Sequence, residues 1–344
     1  MRVSIGTNIK EGPWGGGNLF AKGLKSYLEK NNHQVFTDLS ENNLDIILIT
    51  EPRKTSESSS FTHDDVLKYL KYTNSKSIIV HRLNECDERK NTKYVNKFMI
   101  NANKIADASI FVSSWLKNLY ISQGMSLNEK HIILAGADKT IFNSKNFIPW
   151  DKKSKLKIVT HHWGENWNKG FEIYTFLDEL LDDEEWSKKI SFTYIGNIPK
   201  KAKFRNTKVI APLSGQQLSN EIKNNHLYLT ASINEPSGNH HIEAAQCGLP
   251  LLFINSGGIP EYCQGYGVMF ENKNDFIQKL EEIYNNYEVY VAKMASYPYD
   301  ANNMSEEYLQ LFNNLLKLRH EVLSKRKVDL SQKFFERKIY NLKN

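Results

Sequence analysis

The stretch from His226 to Pro260 constrains the fold more than any other part of the chain. His226-Leu-Tyr-Leu-Thr230 is an apolar run that reads as a buried strand. Glu235-Pro-Ser-Gly-Asn239 follows as a turn-rich loop. Asn239 to Cys247 fits a short helix, with Asn239 as its N-cap, Gly248 just past its end and Pro250 barring continuation. Leu251 to Ile254 is the next strand, and Gly257-Gly258 the next tight loop. Strand, loop, helix and strand form the unit of a parallel sheet, so this half of the chain reads as α/β.

That spacing suits a particular chemistry. The free N–H groups at the start of a helix make a site for a phosphate or diphosphate. Gly238, with no Cβ, lets the backbone approach closely. Glu235 and Glu243 lie either side of this site. A carboxylate beside a diphosphate is repelled unless it binds something else, and hydroxyl groups are natural partners. One carboxylate could hold ribose hydroxyls, as the acidic residue of dinucleotide folds does. The other could hold the hydroxyls of a sugar beyond the phosphate. In the plainer reading, Glu243 serves its helix's first turn and Glu235 is solvated. Spacing alone leaves both open.

The full pattern is more specific. Glu-Pro-x-Gly, a second glutamate after seven intervening residues, Glu-Ala-x-x-Cys-Gly-Leu-Pro and then Gly-Gly-Ile-Pro-Glu261 resemble the donor-binding signature of the retaining glycosyltransferases of family 4. The resemblance implies a GT-B fold: two Rossmann-like, doubly wound parallel-sheet domains facing a central cleft that holds a nucleotide sugar. It assigns Glu235 to the sugar hydroxyls and Glu243 to the ribose. Gly238, Asn239 and His240 then supply N–H groups to the diphosphate.

Arg2 to Ile5 is a strand, Gly12 to Asn18 a glycine-rich turn, and Leu19 to Leu28 a helix. A glycine-rich turn between strand and helix cradles phosphate in many folds, though alone it is also an ordinary turn. The resemblance places Gly16, Gly17 and Asn18 at the donor, and Trp14 is a candidate stacking platform for an acceptor ring. Lys54 to Ser60 is a polar loop. The strand Ser77 to Val80 is expected to end in a dense polar cluster, His81 to Arg89. Ligands of open α/β sheets bind at the carboxyl ends of strands. His81 matches a histidine that the family places beside the donor sugar. Arg82, Asn84 and Asp87 are candidates for reading the acceptor, against an ordinary loop whose ions pair among themselves. Ala135-Gly-Ala-Asp138 and Phe142 resemble the segment that closes the family's first domain.

Phe147 to Lys155 reads as the linker, and Leu156 to Thr160 as the strand that opens the second half. It runs into His161-His-Trp-Gly-Glu-Asn-Trp-Asn-Lys169-Gly170. The resemblance implies an Arg and a Lys here, both on the diphosphate. Lys169 matches the Lys. Trp163 and Gly164 fall in the Arg window, so His161, His162 or an Asn must supply hydrogen bonds, or a cation must come from elsewhere. The paired histidines lack a third ligand at recognisable spacing, so no metal site is expected. Gly196 matches the glycine that lets the nucleotide approach. The expected division is 1–150, completed by helices at about 305–344, and 151–304.

Charge and composition narrow the rest. A chain of 344 residues fits two domains. No apolar run nears the roughly 18 residues that read as a spanning helix. Met1 to Ile5 starts as a strand, without a charged-then-apolar leader. Cys86, Cys247 and Cys263 have no ligand spacing and read as core residues or free thiols. A cytoplasmic enzyme fits these features. The net charge is +6, and Lys317 to Asn344, with nine Lys or Arg against three Asp or Glu, carries the same excess. The basic character is therefore a feature of the tail, and no nucleic-acid groove is expected. That tail, with Phe334, Phe335 and Tyr340, reads either as a contact with anionic lipid on the inner face of a membrane or as an amphipathic helix packed on the first domain.

The expectation is a retaining glycosyltransferase, without cofactor or metal, moving a sugar from a UDP- or GDP-linked donor to a saccharide or lipid-linked saccharide. Lys169 and the helix N-terminus stabilise the leaving diphosphate. The resemblance implies front-face attack, with the phosphate taking the acceptor's proton. Three alternatives stand beside it: a non-catalytic nucleotide-sugar-binding subunit, a GT-B epimerase, and a nucleic-acid or membrane adaptor acting through the tail.

Overall fold

Continuous apolar runs become strands covered on both faces, as parallel sheets require. Ile46–Ile49, for example, is buried at every position. The computed structural model describes residues 1–11, 15–126 and 128–328; Trp14, Phe334, Phe335 and Tyr340 lie outside them. The first sheet holds β1 (Arg2–Ile5), β2 (Gln34–Phe36), β3 (Ile46–Ile49), β4 (Ile78–Leu83), β5 (Ala108–Phe111) and β6 (Glu129–Ile132). Its order is β2-β1-β3-β4-β5-β6, parallel throughout. Its connections carry α1 (Gly16–Lys30), α2 (His63–Tyr72), α3 (Asp87–Lys90), α4 (Val95–Asn103) and α5 (Ser114–Ser122).

The second sheet holds β7 (Leu156–His162), β8 (Ile190–Gly196), β9 (Lys208–Ile210), β10 (Leu227–Thr230), β11 (Leu251–Ile254) and β12 (Gly267–Phe270). Its order, β12-β11-β10-β7-β8-β9, is also parallel throughout. Around it lie α6 (Phe171–Leu180), α7 (Glu184–Lys189), α8 (Gly215–Lys223), α9 (Asn239–Gln246), α10 (Ile259–Cys263), α11 (Lys273–Asn285) and α12 (Tyr287–Lys293). The strand order reverses between β1 and β3 in the first sheet and between β7 and β10 in the second. Ligand crevices open at the carboxyl ends of strands at such switch points. The loops after β1, β7 and β10 are the segments the motifs had marked.

The chain then returns to the first sheet through α13 (Ala301–Lys317) and α14 (Arg319–Ser324). Met304, Tyr308, Leu311, Phe312 and Leu315 form one stripe of α13 and share a core with Val3, Ile5, Phe20 and Leu24. By packing, the division between the halves comes earlier than residue 150. Ala135, Ala137, Phe142 and Trp150 join the second core, because Trp150 needs the ring faces of Tyr284 and Tyr287.

As far as residue 328, the basic tail packs on the first domain. Arg319 donates to Asp45 at 2.7 Å. Arg326 donates to both oxygens of buried Asp107 and to the carbonyls of Ser75 and Ser77. Among the described residues, no helix is long and apolar enough to cross a membrane. The three cysteines are buried and unpaired.

Candidate active site

The second domain supplies one wall of the crevice. Gly238, not Asn239, is the N-cap of α9; Asn239 is its first helical residue. The reason is the positive φ of Gly238, +87°, and the two histidine rings that a Cβ there would meet at 2.7 and 2.8 Å. Among the described residues no side chain caps the helix, so its first-turn N–H groups keep no side-chain partner there. Gly248, at φ +97°, follows the C-cap as expected.

Four imidazoles cluster at that helix start, two of them, His240 and His241, from its first turn. His161 Nε2 is 2.9 Å from Glu243 Oε2, and its Nδ1 is 3.1 Å from the Tyr228 hydroxyl. His162 Nε2 lies 2.8 Å from the Tyr174 hydroxyl, and His240 Nε2 lies 2.8 Å from that of Thr230. The rings of His162 and His240 are 4.5 Å apart. His241 is buried with neither ring nitrogen partnered. Burial pushes His162 and His240 well below the ordinary imidazole range and His241 down to about 3. Among the described residues, no group of three or more His, Cys, Asp or Glu is placed to hold a metal ion.

Glu235 and Lys169 form a direct pair, with Nζ 2.6 Å from Oε2 and both side chains buried. A third group joins them from the other domain. Arg89 Nε lies 2.8 Å from Glu235 Oε1. Burial alone would raise the Glu235 pKa, but Arg89 and Lys169 outweigh it and hold the carboxyl well below its usual range. Burial, and then the neighbouring Arg89, lower Lys169.

The first wall differs from its expected form. β4 runs on to Leu83, so His81 lies inside the strand and not at its end. It is fully buried, with Nδ1 2.9 Å from Asn103 Oδ1, and burial lowers it to about 4. It is not brought together with Glu235 or Lys169. Arg82 is also buried, with its guanidinium 3.9 Å over the Phe20 ring. Asp87 is engaged within its own segment. Its carboxylate accepts from the Thr92 hydroxyl and from the amides of Tyr94, Val95 and Asn96, closing the start of α4. Asn84 is half-buried.

In the glycine loop, Gly16 begins α1 and faces Asn239 across the crevice; a Cβ there would come within 3.1 Å of the Asn239 side chain. Gly17 has no described residue near where a Cβ would stand. Asn18 bonds both the amide and the carbonyl of Lys10, which fixes the loop and engages its side chain locally. Gly196, at φ +137°, is required by the neighbouring strand: a Cβ would sit 1.9 Å from the His162 carbonyl oxygen. That contact accounts for the glycine without a nucleotide.

Two further contacts join the domains. Glu261 accepts from the amides of Ser114 and Trp115 at the start of α5, at 2.8 and 2.9 Å. The Tyr262 hydroxyl donates to the Val112 carbonyl and accepts from the Ala135 amide. Sequence reasoning missed Arg89 and Glu85 as site residues. Both sit in the marked polar cluster, but no spacing rule links position 89 to position 235.

Residues 197–299 match the family described as glycosyl transferases group 1. No curated protein matches the sequence. Three solved structures are similar over 92% of this chain: a glycosyltransferase from Rickettsia africae (14% identity, 98% of its chain, TM-score 0.66), Anabaena Alr3699/HepE in complex with UDP and glucose (13%, 100%, 0.62), and sucrose-phosphate synthase from Thermosynechococcus elongatus (13%, 99%, 0.61). The fold is therefore GT-B, with the group 1 glycosyltransferase match in its second half.

Proposed function

We propose that this GT-B chain is a retaining glycosyltransferase that moves a sugar from a nucleoside-diphosphate donor to a saccharide or lipid-linked saccharide. The observation that carries this reading is the buried Glu235–Lys169 pair, with Glu243 on the other side of the uncapped start of α9, at the β7/β10 switch point. The first-turn N–H groups of α9 and the Lys169 ammonium suit a diphosphate. Glu235 suits the sugar hydroxyls and Glu243 the ribose.

In this reading the bond between the anomeric carbon and the phosphate oxygen breaks, and its electron pair goes to the diphosphate. The acceptor oxygen bonds to the same face of the sugar and gives its proton to that phosphate oxygen. No separate protein base is needed. The reaction belongs in the cytoplasm, where nucleotide sugars are available to such an enzyme. The similar Anabaena protein is described in complex with UDP and glucose, which makes UDP-linked sugars the first donors to test.

The test is a thermal-shift screen with UDP, GDP, ADP and their sugar conjugates, with and without EDTA, followed by transfer assays. One nucleotide should stabilise the protein, by about 2.7 kcal/mol at a hundredfold excess over its Kd. Lys169→Ala and Glu243→Ala should each abolish most transfer. If both variants transferred sugar at the wild-type rate, the assignment of this crevice would be wrong. No shift with any nucleotide, from a cooperatively melting protein, would favour a non-catalytic subunit.

A further inference from the structure

Arg89 is an unexpected member of the crevice, and its surroundings are built around it. Glu85 is buried and accepts two contacts from Arg89 Nη1, at 3.0 and 3.1 Å. Lys90 Nζ lies 2.6 Å from the same carboxylate. The Tyr120 hydroxyl fixes the Glu85 carbonyl at 2.7 Å. Asp87 closes α4 directly after this turn, and the Asp87 amide in turn donates to Asn96. The segment from 85 to 96 is thus a braced corner that presents one guanidinium to the opposite domain. Asn168 and Asn234 of that domain reach the carbonyls of Arg89 and Glu88 at 3.3 and 3.4 Å.

The pairing at Glu235 is unusual for a simple clasp. One buried carboxylate stands between two cations, Lys169 of its own domain and Arg89 of the other. Lys90, which is exposed to solvent, also reaches Glu85 from the rim. A domain clasp needs one pair, whereas here one carboxylate serves two cations. Cations held out of water require anionic partners. Hydroxyls arriving at Glu235 would loosen its hold on both cations as a diphosphate arrives to receive them. Guanidinium is also the side chain best suited to phosphate oxygens, through its planar fork of donors.

We propose that Arg89 is the second cation of the diphosphate site, supplied by the first domain to a donor held by the second. This rests on the reading of the crevice as a nucleoside-diphosphate-sugar site. As the sugar–phosphate bond breaks, charge collects on the departing diphosphate, and Lys169 and Arg89 meet it from opposite walls. Full neutralisation then exists only when the domains are closed, which ties bond cleavage to exclusion of water. The absence of a cation at Trp163 and Gly164 is compensated across the crevice rather than along the chain.

The experiment compares wild type, Arg89→Ala and Arg89→Lys by titration calorimetry with paired nucleoside mono- and diphosphates: UMP and UDP, GMP and GDP, AMP and ADP. For the base that binds, wild type should prefer the diphosphate. Arg89→Ala should reduce that preference about tenfold or more, the size of one charge-assisted contact, and leave monophosphate binding little changed. Arg89→Lys should fall between, and added guanidinium should restore part of the transfer rate of Arg89→Ala. Equal loss for mono- and diphosphate, without rescue, would reduce Arg89 to a clasp and overturn the inference. An unchanged diphosphate preference in Arg89→Ala would do the same while leaving the proposed function standing. A wild type that binds no nucleoside diphosphate would remove the functional reading itself.

Discussion

The two walls of the crevice use their carboxylates in different ways. On the second wall, Glu235 and Glu243 are buried, and their partners come from distant parts of the chain: Lys169 and Arg89 for one, His161 for the other. On the first wall, Asp87 is engaged by amides within nine residues of it, at the start of the next helix. Glu85, two residues earlier, holds Arg89 and Lys90. A carboxylate that closes its own helix is scaffold. One whose partners converge from separate elements on a crevice is available for exchange with a ligand. Residue type does not separate these cases; the origin of the partners does.

The comparison can be broken most sharply at Glu235. Glu235→Ala leaves buried Lys169 without its anion and half-buried Arg89 with Glu85 alone, and it should cost about 3 kcal/mol of stability in urea unfolding. Added nucleoside diphosphate should restore part of that loss. Wild-type stability in this variant would mean that the two walls are not joined through this ion cluster.

Asp87→Ala tests the other wall and should have a smaller effect. Loss of the cap on α4 should lower stability by about 1–2 kcal/mol, with the KM for acceptor unchanged. A raised acceptor KM in a fully stable variant would return Asp87 to the acceptor role its position suggested.

The smallest effect is acid sensitivity, and it compares one buried imidazole from each wall. His81 is lowered to about 4 and His241 to about 3, both by burial. An unfolded chain titrates them near about 6.5. Between these values the unfolded state binds more protons, so stability falls as pH falls through that window. From pH 6.5 to 5.5 each ring should contribute about 1 kcal/mol of loss. His81→Asn and His241→Phe should each flatten the slope in denaturant titrations at stepped pH. An unaltered slope in either variant would show that its ring titrates alike in the folded and unfolded states.

Much of the second wall was legible because its residues are close in sequence. Glu235, Gly238, Asn239, His240 and Glu243 lie on one loop and one helix turn, and local periodicity fixes their relative placement. Even there, the cap assignment failed by one residue, since the space available to Gly238 depends on rings packed against it. The first wall was less legible. His81 reads as the end of a strand, but pairing of Arg82 with Ile110 and Leu83 with Phe111 continues the strand past it. Gly196 reads as a nucleotide contact, but the adjacent strand already excludes any Cβ there.

The sequence by itself determined that alternating apolar runs and helical stripes would form two parallel sheets, and that a phosphate-suited helix start would follow β10. Both depend on periodicity and on neighbours a few residues apart. Only the tertiary structure decided that Arg89 stands against Glu235, that Glu261 closes the start of α5, and that Trp150 packs with the second core. Those pairings join positions far apart in the chain. They arise where two separately folded surfaces meet, and no local rule of spacing reaches across that distance.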